Sequence, residues 1–464
     1  MRRADLSTAI SVVIPTNGRA DALRRALQGL AHLDHGDFEV IVVVGPDDAG
    51  VAAVRAEAPG EVRWLSCPER NVSMSRNIGI AAAAGDLVAF LDDDAVPEAW
   101  WLSELEAAFC EPEVAAAGGP VLDHTGARWQ AYFAVVSRAG TATSYTRGRL
   151  PGGALSSPES WVVPYAVGTN ACFRRTALVR AGGFDEHYTY CYEDADICLR
   201  LCDLGYRVAT LGDAVVHHGF LPNALRDETR VLRDWSPLFS ALFYFASRHG
   251  HLAGAVARTW EEVAGVVGRA REWHTRLAEA GVVDPAAPAR FEEALRRESE
   301  VAFRAAVTAH EVGTVGWLHR HPAATGAAQR FPSLGARLAG RRRAHVCLLA
   351  GLGDADRAGP EARARALVDD RGAIVRVISA TGVEPRVTFD DGIWWHDVPG
   401  GGDPAAAALA ELARVHAARP VDAWDSVLHG PIADAAARAN LTLRLPAHGH
   451  MPAAVPPGAA EHGA

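Results

Sequence analysis

The chain has 464 residues, 49% of them hydrophobic, enough to bury two or three cores at about 150 residues per domain. Its 46 Lys and Arg are outnumbered by 56 Asp and Glu, for a formal net charge of -10. That acidic balance lacks the basic footprint of a nucleic-acid binder, and no nucleic-acid partner is expected.

The opening MRRADLSTAISVVIP passes from two arginines directly into a strand-like run, so no signal peptide is expected. AISVVIP reads as a first buried strand, and RADALRRALQGLAHL as a helix with Leu23, Leu27 and Leu30 on one face. FEVIVVVG is apolar throughout, as a central parallel strand should be. VRWLSC is a third strand, and SMSRNIGIAAAAG a helix whose C-cap is expected at Gly85. DLVAFL is a fourth strand, followed by a helix EAWWLSELEAAF with Pro97 in the starting position. This alternation over about 220 residues predicts an α/β domain with a mainly parallel sheet.

Residues 223–343 read as a helical segment. Within it, SPLFSALFYFASRHGHLAGAV from Ser236 is broken by Ser247, Arg248, His249 and His251. It falls short of the ~18 uninterrupted apolar residues of a spanning helix and is expected as a buried or surface-docking helix. Between 344 and 445, HVCLLAGLG, AIVRVISA and GIWWHDVPG read as strands, with the helix GPEARARALVDD between the first two. They predict a smaller Rossmann-like domain, and residues 446–464, rich in Pro, Ala and Gly, a disordered tail. The seven cysteines are scattered and odd in number, which fits reduced core thiols better than a disulfide framework.

Asp92, Asp93 and Asp94 follow the fourth strand, where open α/β sheets bind ligands. If extended backbone continues past Leu91, Asp92 and Asp94 share one side and Asp93 faces the other. Two such carboxylates are costly alone and natural beside Mg²⁺ or Mn²⁺. An Asp-rich capped turn is the alternative. A haloacid-dehalogenase phosphatase would need Asp-x-Asp-Gly-Thr, but Ala95 and Val96 follow instead. A sugar nucleotidyltransferase would need a glycine-rich loop, and PTNGRADAL holds a single glycine.

Downstream, a Gly182-Gly183 turn and an aromatic loop lead to a helix opening at Glu193-Asp194, with Asp196 in its first turn. Acidic residues there complement the helix dipole, and Asp196 with Arg200 forms an ordinary i,i+4 pair. The run AVVHH then delivers His217 and His218 near another strand end.

Taken in order, the Pro-Thr loop, RNIG, the aspartates, GTNACFRR, GGFDE, EDADICLRL and the late histidine resemble the inverting family-2 glycosyltransferases over about residues 8–222. The resemblance implies the GT-A fold, a Rossmann-like mixed sheet with helices on both faces. It implies that Pro15, Thr16, Arg76 and Asn77 approach the nucleotide and its phosphates, and that Asp92 lies near the ribose. Asp93 is grouped with the nucleotide-sugar side as a spacer. Asp94 would bind the metal together with His217, strand direction deciding between the two adjacent histidines. Gly168, Thr169, Asn170 and Glu193 would lie toward the donor sugar and acceptor, and Asp194 would be the base.

One departure concerns the acidic residue that usually follows the second strand and reads the nucleotide base. Gly45 and Pro46 stand there, leaving Asp47 or Asp48 to serve, with Asp47 the candidate. The implied activity is metal-dependent, inverting transfer from a nucleotide-diphosphate sugar, a UDP-sugar first, to an acceptor hydroxyl. The implied cofactor is Mn²⁺ or Mg²⁺. The expected setting is the cytoplasm or the inner membrane face, with a homo-oligomer left open. The alternative is a catalytically silent GT-A scaffold that binds sugar or joins a complex. Residues 344–440 resemble the N-terminal half-domain of GT-B family-4 glycosyltransferases, and no second transferase activity is expected of them.

Overall fold

The computed structural model describes residues 9–426 apart from 47, 49, 151–154, 228–230, 252–254, 313–316, 321–344, 351–357, 372, 383, 400–403, 419–420 and 422. The tail expected at 446–464 lies outside the described residues. Two compact units divide near residue 340, with Thr125–Ala127 grouped with the second.

The first unit begins with β1 (Ile10–Thr16), α1 (Ala20–Ala31), β2 (Phe38–Val44), α2 (Val51–Glu57), β3 (Val62–Ser66) and α3 (Val72–Ala82). Next come β4 (Leu87–Leu91), β5 (Ala95–Pro97), α4 (Trp101–Ala108), β6 (Val114–Gly118), β7 (Val121–Leu122) and β8 (Trp129–Ala131). Then follow β9 (Phe133–Ser137), β10 (Ala142–Tyr145), β11 (Val162–Tyr165), β12 (Asn170–Arg174), α5 (Arg175–Ala181) and α6 (Glu193–Asp203). The unit ends with β13 (Arg207–Thr210), β14 (Val216–His218) and helices α7 (Ser236–His249), α8 (Val256–Glu279), α9 (Ala287–Val312) and α10 (Trp317–Arg320).

Seven strands form the main sheet in the order β13-β6-β12-β4-β1-β2-β3. All pairings are parallel except those of β12, which runs antiparallel to both β4 and β6. The apolar runs of β1, β2 and β4 are buried on both faces, as parallel strands between helical layers require. Alternation divides them between two cores, with Val13, Ile41 and Phe90 in one and Val12, Val40 and Ala89 in the other.

Helix α1 buries Leu23, Leu27 and Leu30 along one stripe. Helix α3 is capped by Asn71, whose side chain accepts from Met74 N at 3.0 Å. It lies so close over β1 that a Cβ on Gly79 would fall 2.3 Å from Val13. The helix ends at Ala82 because Ala83 turns extended, three residues before a cap at Gly85 would act. Pro97 likewise closes strand β5, and α4 starts only at Trp101. The stretch from Ser236 folds as α7 with Phe239, Leu242 and Phe245 buried, so it is a core helix of the first unit and not a surface-docking one. Among the described residues, no helix is long and apolar enough to cross a membrane.

The second unit comprises β15 (His345–Ala350), α11 (Ala358–Arg371), β16 (Ile374–Gly382), β17 (Arg386–Asp390), β18 (Ile393–Pro399), α12 (Pro404–Ala418) and β19 (Ala423–Ser426). Its sheet runs β17-β18-β16-β15-β19, parallel but for β17. One core gathers Leu349, Ile378, Leu409 and Leu412 under α12, and the other Val346, Val375, Ala364 and Leu367 under α11. Helices on both faces of a parallel sheet make this a Rossmann-like module.

Candidate active site

Sheet register brings the site together. Leu91 at the end of β4 pairs with Asn170 at the start of β12, so the aspartates leaving β4 meet Gly168 and Thr169. Extended backbone stops at Leu91, because Ala95 N donates to Asp92 O at 3.0 Å and closes a turn. Strand β14 then pairs antiparallel with β5, setting His218 opposite Ala95. A cleft of about 960 Å³ opens here, lined by Pro15, Thr16, Arg76, Asp92, Asp94, Gly168, Thr169, Glu193, Asp194 and His218 among others.

Asp92, Asp94 and His218 offer ligand atoms that all lie within 4.8 Å of one another. His218 Nε2 is 3.3 Å from Asp94 Oδ1 and 3.9 Å from Asp92 Oδ2. On the far side of the ring, Nδ1 donates to Gln130 Oε1 at 2.9 Å, which leaves Nε2 facing the carboxylates. Asp94 Oδ1 is buried and accepts no hydrogen bond. Oxygen and imidazole lone pairs converging on one point fit a divalent cation. The other Asp94 oxygen, Oδ2, accepts from Leu221 N and from Arg19, both at 2.8 Å.

The opposite wall carries the acidic helix end. Both oxygens of Asp194 accept backbone N–H groups, from Gly168 at 2.8 Å and Ala195 at 2.7 Å. Burial raises its carboxyl above the ordinary Asp value, opposed by the Gly168 N–H and the Arg76 charge. Glu193 is also raised by burial, against its pair with Arg76 at 2.5 Å. Arg76 reaches Asp92 at 3.5 Å, so one buried guanidinium spans both walls. It is packed 5.7 Å from the Phe90 ring and 5.4 Å from Phe184. A Cβ at residue 168 would lie 2.7 Å from Arg76 Nη2 and would push that guanidinium aside. Tyr192, just before α6, adopts the left-handed region at φ 70°, a strained entry of the kind that collects at functional sites.

Two residues after Asp194, Asp196 is wholly buried and is not among the residues lining the cleft. It accepts from Arg200 at 2.7 Å and Tyr188 at 3.3 Å, and meets His249 of α7 at 2.8 Å. These partners outweigh burial and hold its carboxyl well below the ordinary range.

Four expected site residues are placed elsewhere. His217 faces Glu98, 2.9 Å away, because neighbours on a strand point to opposite faces, so His218 and not His217 joins the aspartates. Asp93 is fully buried behind the cleft wall, where Thr16 Oγ1 donates to it at 2.7 Å and Arg19 pairs with it. Asn77 clamps the loop after Gly183 instead of reaching the cleft, donating to Phe184 O and accepting from Phe184 N. Asn170 bonds Trp101, Pro120 and Ala214, locking β12 in place. Asp47 lies outside the described residues.

Arg19, Gln130 and Leu221 are site residues that the motifs did not single out. Arg19 is the basic residue of the PTNGRADAL loop and was visible as such. Gln130 carries no sequence signal, and Leu221 acts through its backbone.

Residues 11–181 match the family model of glycosyl transferase family 2. A pre-mycofactocin glycosyltransferase of Mycobacterium tuberculosis is 31% identical over 236 residues, covering 49% of this chain and 44% of that protein. The O-antigen biosynthesis protein RfbC of Myxococcus xanthus is 31% identical over 220 residues, 45% of this chain and 17% of its own length. The chain thus spans less than half of either relative. A mannosyltransferase from Pyrobaculum calidifontis, solved with GDP-Man and Mn²⁺, aligns over 72% of this chain and 89% of its own, at 17% identity and a TM-score of 0.37. That structural likeness is too loose to bear on the site. The motifs that meet in this cleft thus lie in and beside a stretch, residues 11–181, that is similar to glycosyl transferase family 2.

Proposed function

We propose that this chain is a metal-dependent, inverting glycosyltransferase that moves a sugar from a nucleotide-diphosphate sugar to an acceptor hydroxyl. The observation that carries the reading is a single cleft with a cation-ready Asp92, Asp94 and His218 group on one wall and a half-buried carboxylate, Asp194, on the other. Asp92, Asp94 and His218 would hold Mn²⁺ or Mg²⁺. When bound, such an ion neutralises the charge that develops on the departing nucleotide diphosphate.

The protein's own groups supply the rest. Asp194 takes the proton of the acceptor hydroxyl, and its raised carboxyl pKa makes it a stronger base than a solvated aspartate. The N–H groups of Gly168 and Ala195 fix its two oxygens in place. One base and one displacement predict inversion at the anomeric carbon. Glu193, held by Arg76, orients the acceptor side while keeping that guanidinium beside Asp92. Pro15 and Thr16 line the nucleotide end of the cleft. A UDP-sugar donor, an acceptor on a polysaccharide, glycolipid or natural product, and a cytoplasmic setting complete the reading.

A panel of sugar nucleotides screened by thermal shift with Mn²⁺ identifies the donor, since ligands of the folded state raise its apparent stability. Transfer of the identified sugar should then vanish in EDTA and return with Mn²⁺ or Mg²⁺. Full turnover in EDTA would overturn the metal-dependent reading.

A further inference from the structure

Arg19 ends the loop between β1 and α1, and it contacts two of the three aspartates. Its Nη1 donates to Asp94 Oδ2 at 2.8 Å, its Nε reaches Asp93 Oδ2 at 3.3 Å, and its Nη2 pairs with Asp93 Oδ1. The partners differ in exposure. The Asp93 side chain is 0% exposed and that of Asp94 1%, whereas Arg19 keeps 24% of its side chain open and lines the cleft. Asp94 is therefore shared, with one oxygen on a fixed guanidinium and the other, unbonded, facing His218.

A permanent charge on that carboxylate has two consequences. It makes three adjacent aspartates tolerable in the absence of an ion. It also places a like charge a few ångströms from where the ion would sit. Resting on the metal-dependent reading above, we propose that Arg19 is a built-in counter-cation of the donor site. It restrains divalent-ion affinity until the donor arrives, then turns its open edge to the diphosphate oxygens. Ion and nucleotide thereby bind as a pair, because the diphosphate draws off the charge that opposed the ion. A planar guanidinium suits that exchange, since it can serve carboxylate and phosphate in turn.

Calorimetric titration of the full chain with Mn²⁺ alone, and then with UDP or GDP in the presence of Mn²⁺, tests this. Arg19→Gln should tighten Mn²⁺ binding without nucleotide by roughly tenfold or more, the scale set by one like charge at a partly solvated site. The same variant should weaken binding of the nucleoside diphosphate. Arg19→Lys, which keeps the charge, should bind Mn²⁺ as the unaltered chain does.

Because Arg19→Gln strands the buried Asp93, the comparison is repeated between Asp93→Asn and Asp93→Asn with Arg19→Gln, where the buried Asp93 charge is absent from both. The double variant should again bind Mn²⁺ more tightly than the single one. Unchanged or weaker Mn²⁺ affinity on loss of Arg19 in both backgrounds would overturn the counter-cation role. Unchanged nucleoside diphosphate affinity would overturn its turn to the diphosphate. Absence of Mn²⁺ binding from every variant would instead sink the metal-dependent reading itself.

Discussion

Each unit of this molecule buries a cluster of charged and titratable side chains, and the two clusters are built to opposite plans. In the second unit, Arg376 donates to His345 Nε2 and to His396 Nε2, both at 3.0 Å. His396 passes its other ring N–H to Glu411 at 2.6 Å, and Arg414 closes on Glu411 at 2.8 Å. Among the described residues, none of these buried side-chain atoms is left without a partner. In the cleft of the first unit, Asp94 Oδ1, Glu193 Oε2, Arg76 Nε and Thr169 Oγ1 are buried without a hydrogen bond among the described residues. Burial of charge is common to both, whereas of these two clusters only that of the cleft leaves buried polar atoms without a hydrogen bond among the described residues. Polar atoms left waiting in a buried site point to a missing ligand, and a closed network points to architecture.

The largest expected effect falls on the open cluster. Asp194→Asn should lower transfer by about 10²–10⁴-fold, the usual contribution of a positioned base, while leaving nucleotide binding near normal. Single-turnover kinetics with the identified donor measure it, and an unchanged rate would remove Asp194 from the chemistry.

The closed cluster should answer to pH through stability. Burial, aided by the Arg376 charge, depresses the folded His396 to about 4 from the ordinary 6.5. As pH falls from 6.5 toward 4, the unfolded chain takes up a proton that the folded unit refuses, so stability declines by up to about 3 kcal/mol. Glu411 is depressed to about 2 from 4.5 by Arg414 and His396, which outweigh its burial, and its contribution is lost below 4.5 as pH drops toward 2. Hydrogen-exchange protection of peptides from β16 and β18, corrected for intrinsic rates, should be flat above pH 7 and fall below 6.5. Protection that rises on acidification would contradict the neutral, accepting His396.

The smallest effect separates the adjacent histidines. His218→Ala should weaken Mn²⁺ binding by at least the roughly 10–100-fold that even indirect partners of a bound metal are worth. His217→Ala should leave it unaltered, and equal losses from both would erase the distinction between their two strand faces.

Much of the scaffold was legible because its signals are local. The apolar runs of β1, β2 and β4 and the leucine stripe of α1 follow from burial and periodicity alone. The aspartates and the Glu193-Asp194 helix start were legible because they sit at element ends. What failed was direction. Alternation says that His217 and His218 face opposite ways, but only pairing with β5 says which faces Asp94. Asn77 and Asn170 look like ligand-binding amides in the sequence, yet each spends its hydrogen bonds on groups more than 40 residues away, most of them backbone. Arg19 eluded the motifs because its role depends on a loop bringing it back across the sheet to residues 74 and 75 positions later.

The contact between Asp196 and His249 bears on where the catalytic machine ends. The family match stops at residue 181, yet the helix bearing Asp194 is gripped from behind by α7, some 50 residues beyond Asp194 itself. A chain cut between β14 and α7 would keep every motif and leave Asp196 with one fewer counter-group in a dry interior. Losing a hydrogen bond to a buried charge in that way typically costs about 1.5–3 kcal/mol. On the proposed function, the smallest unit that holds Asp194 in place is therefore longer than its motifs and runs at least through Gly250, where α7 is capped.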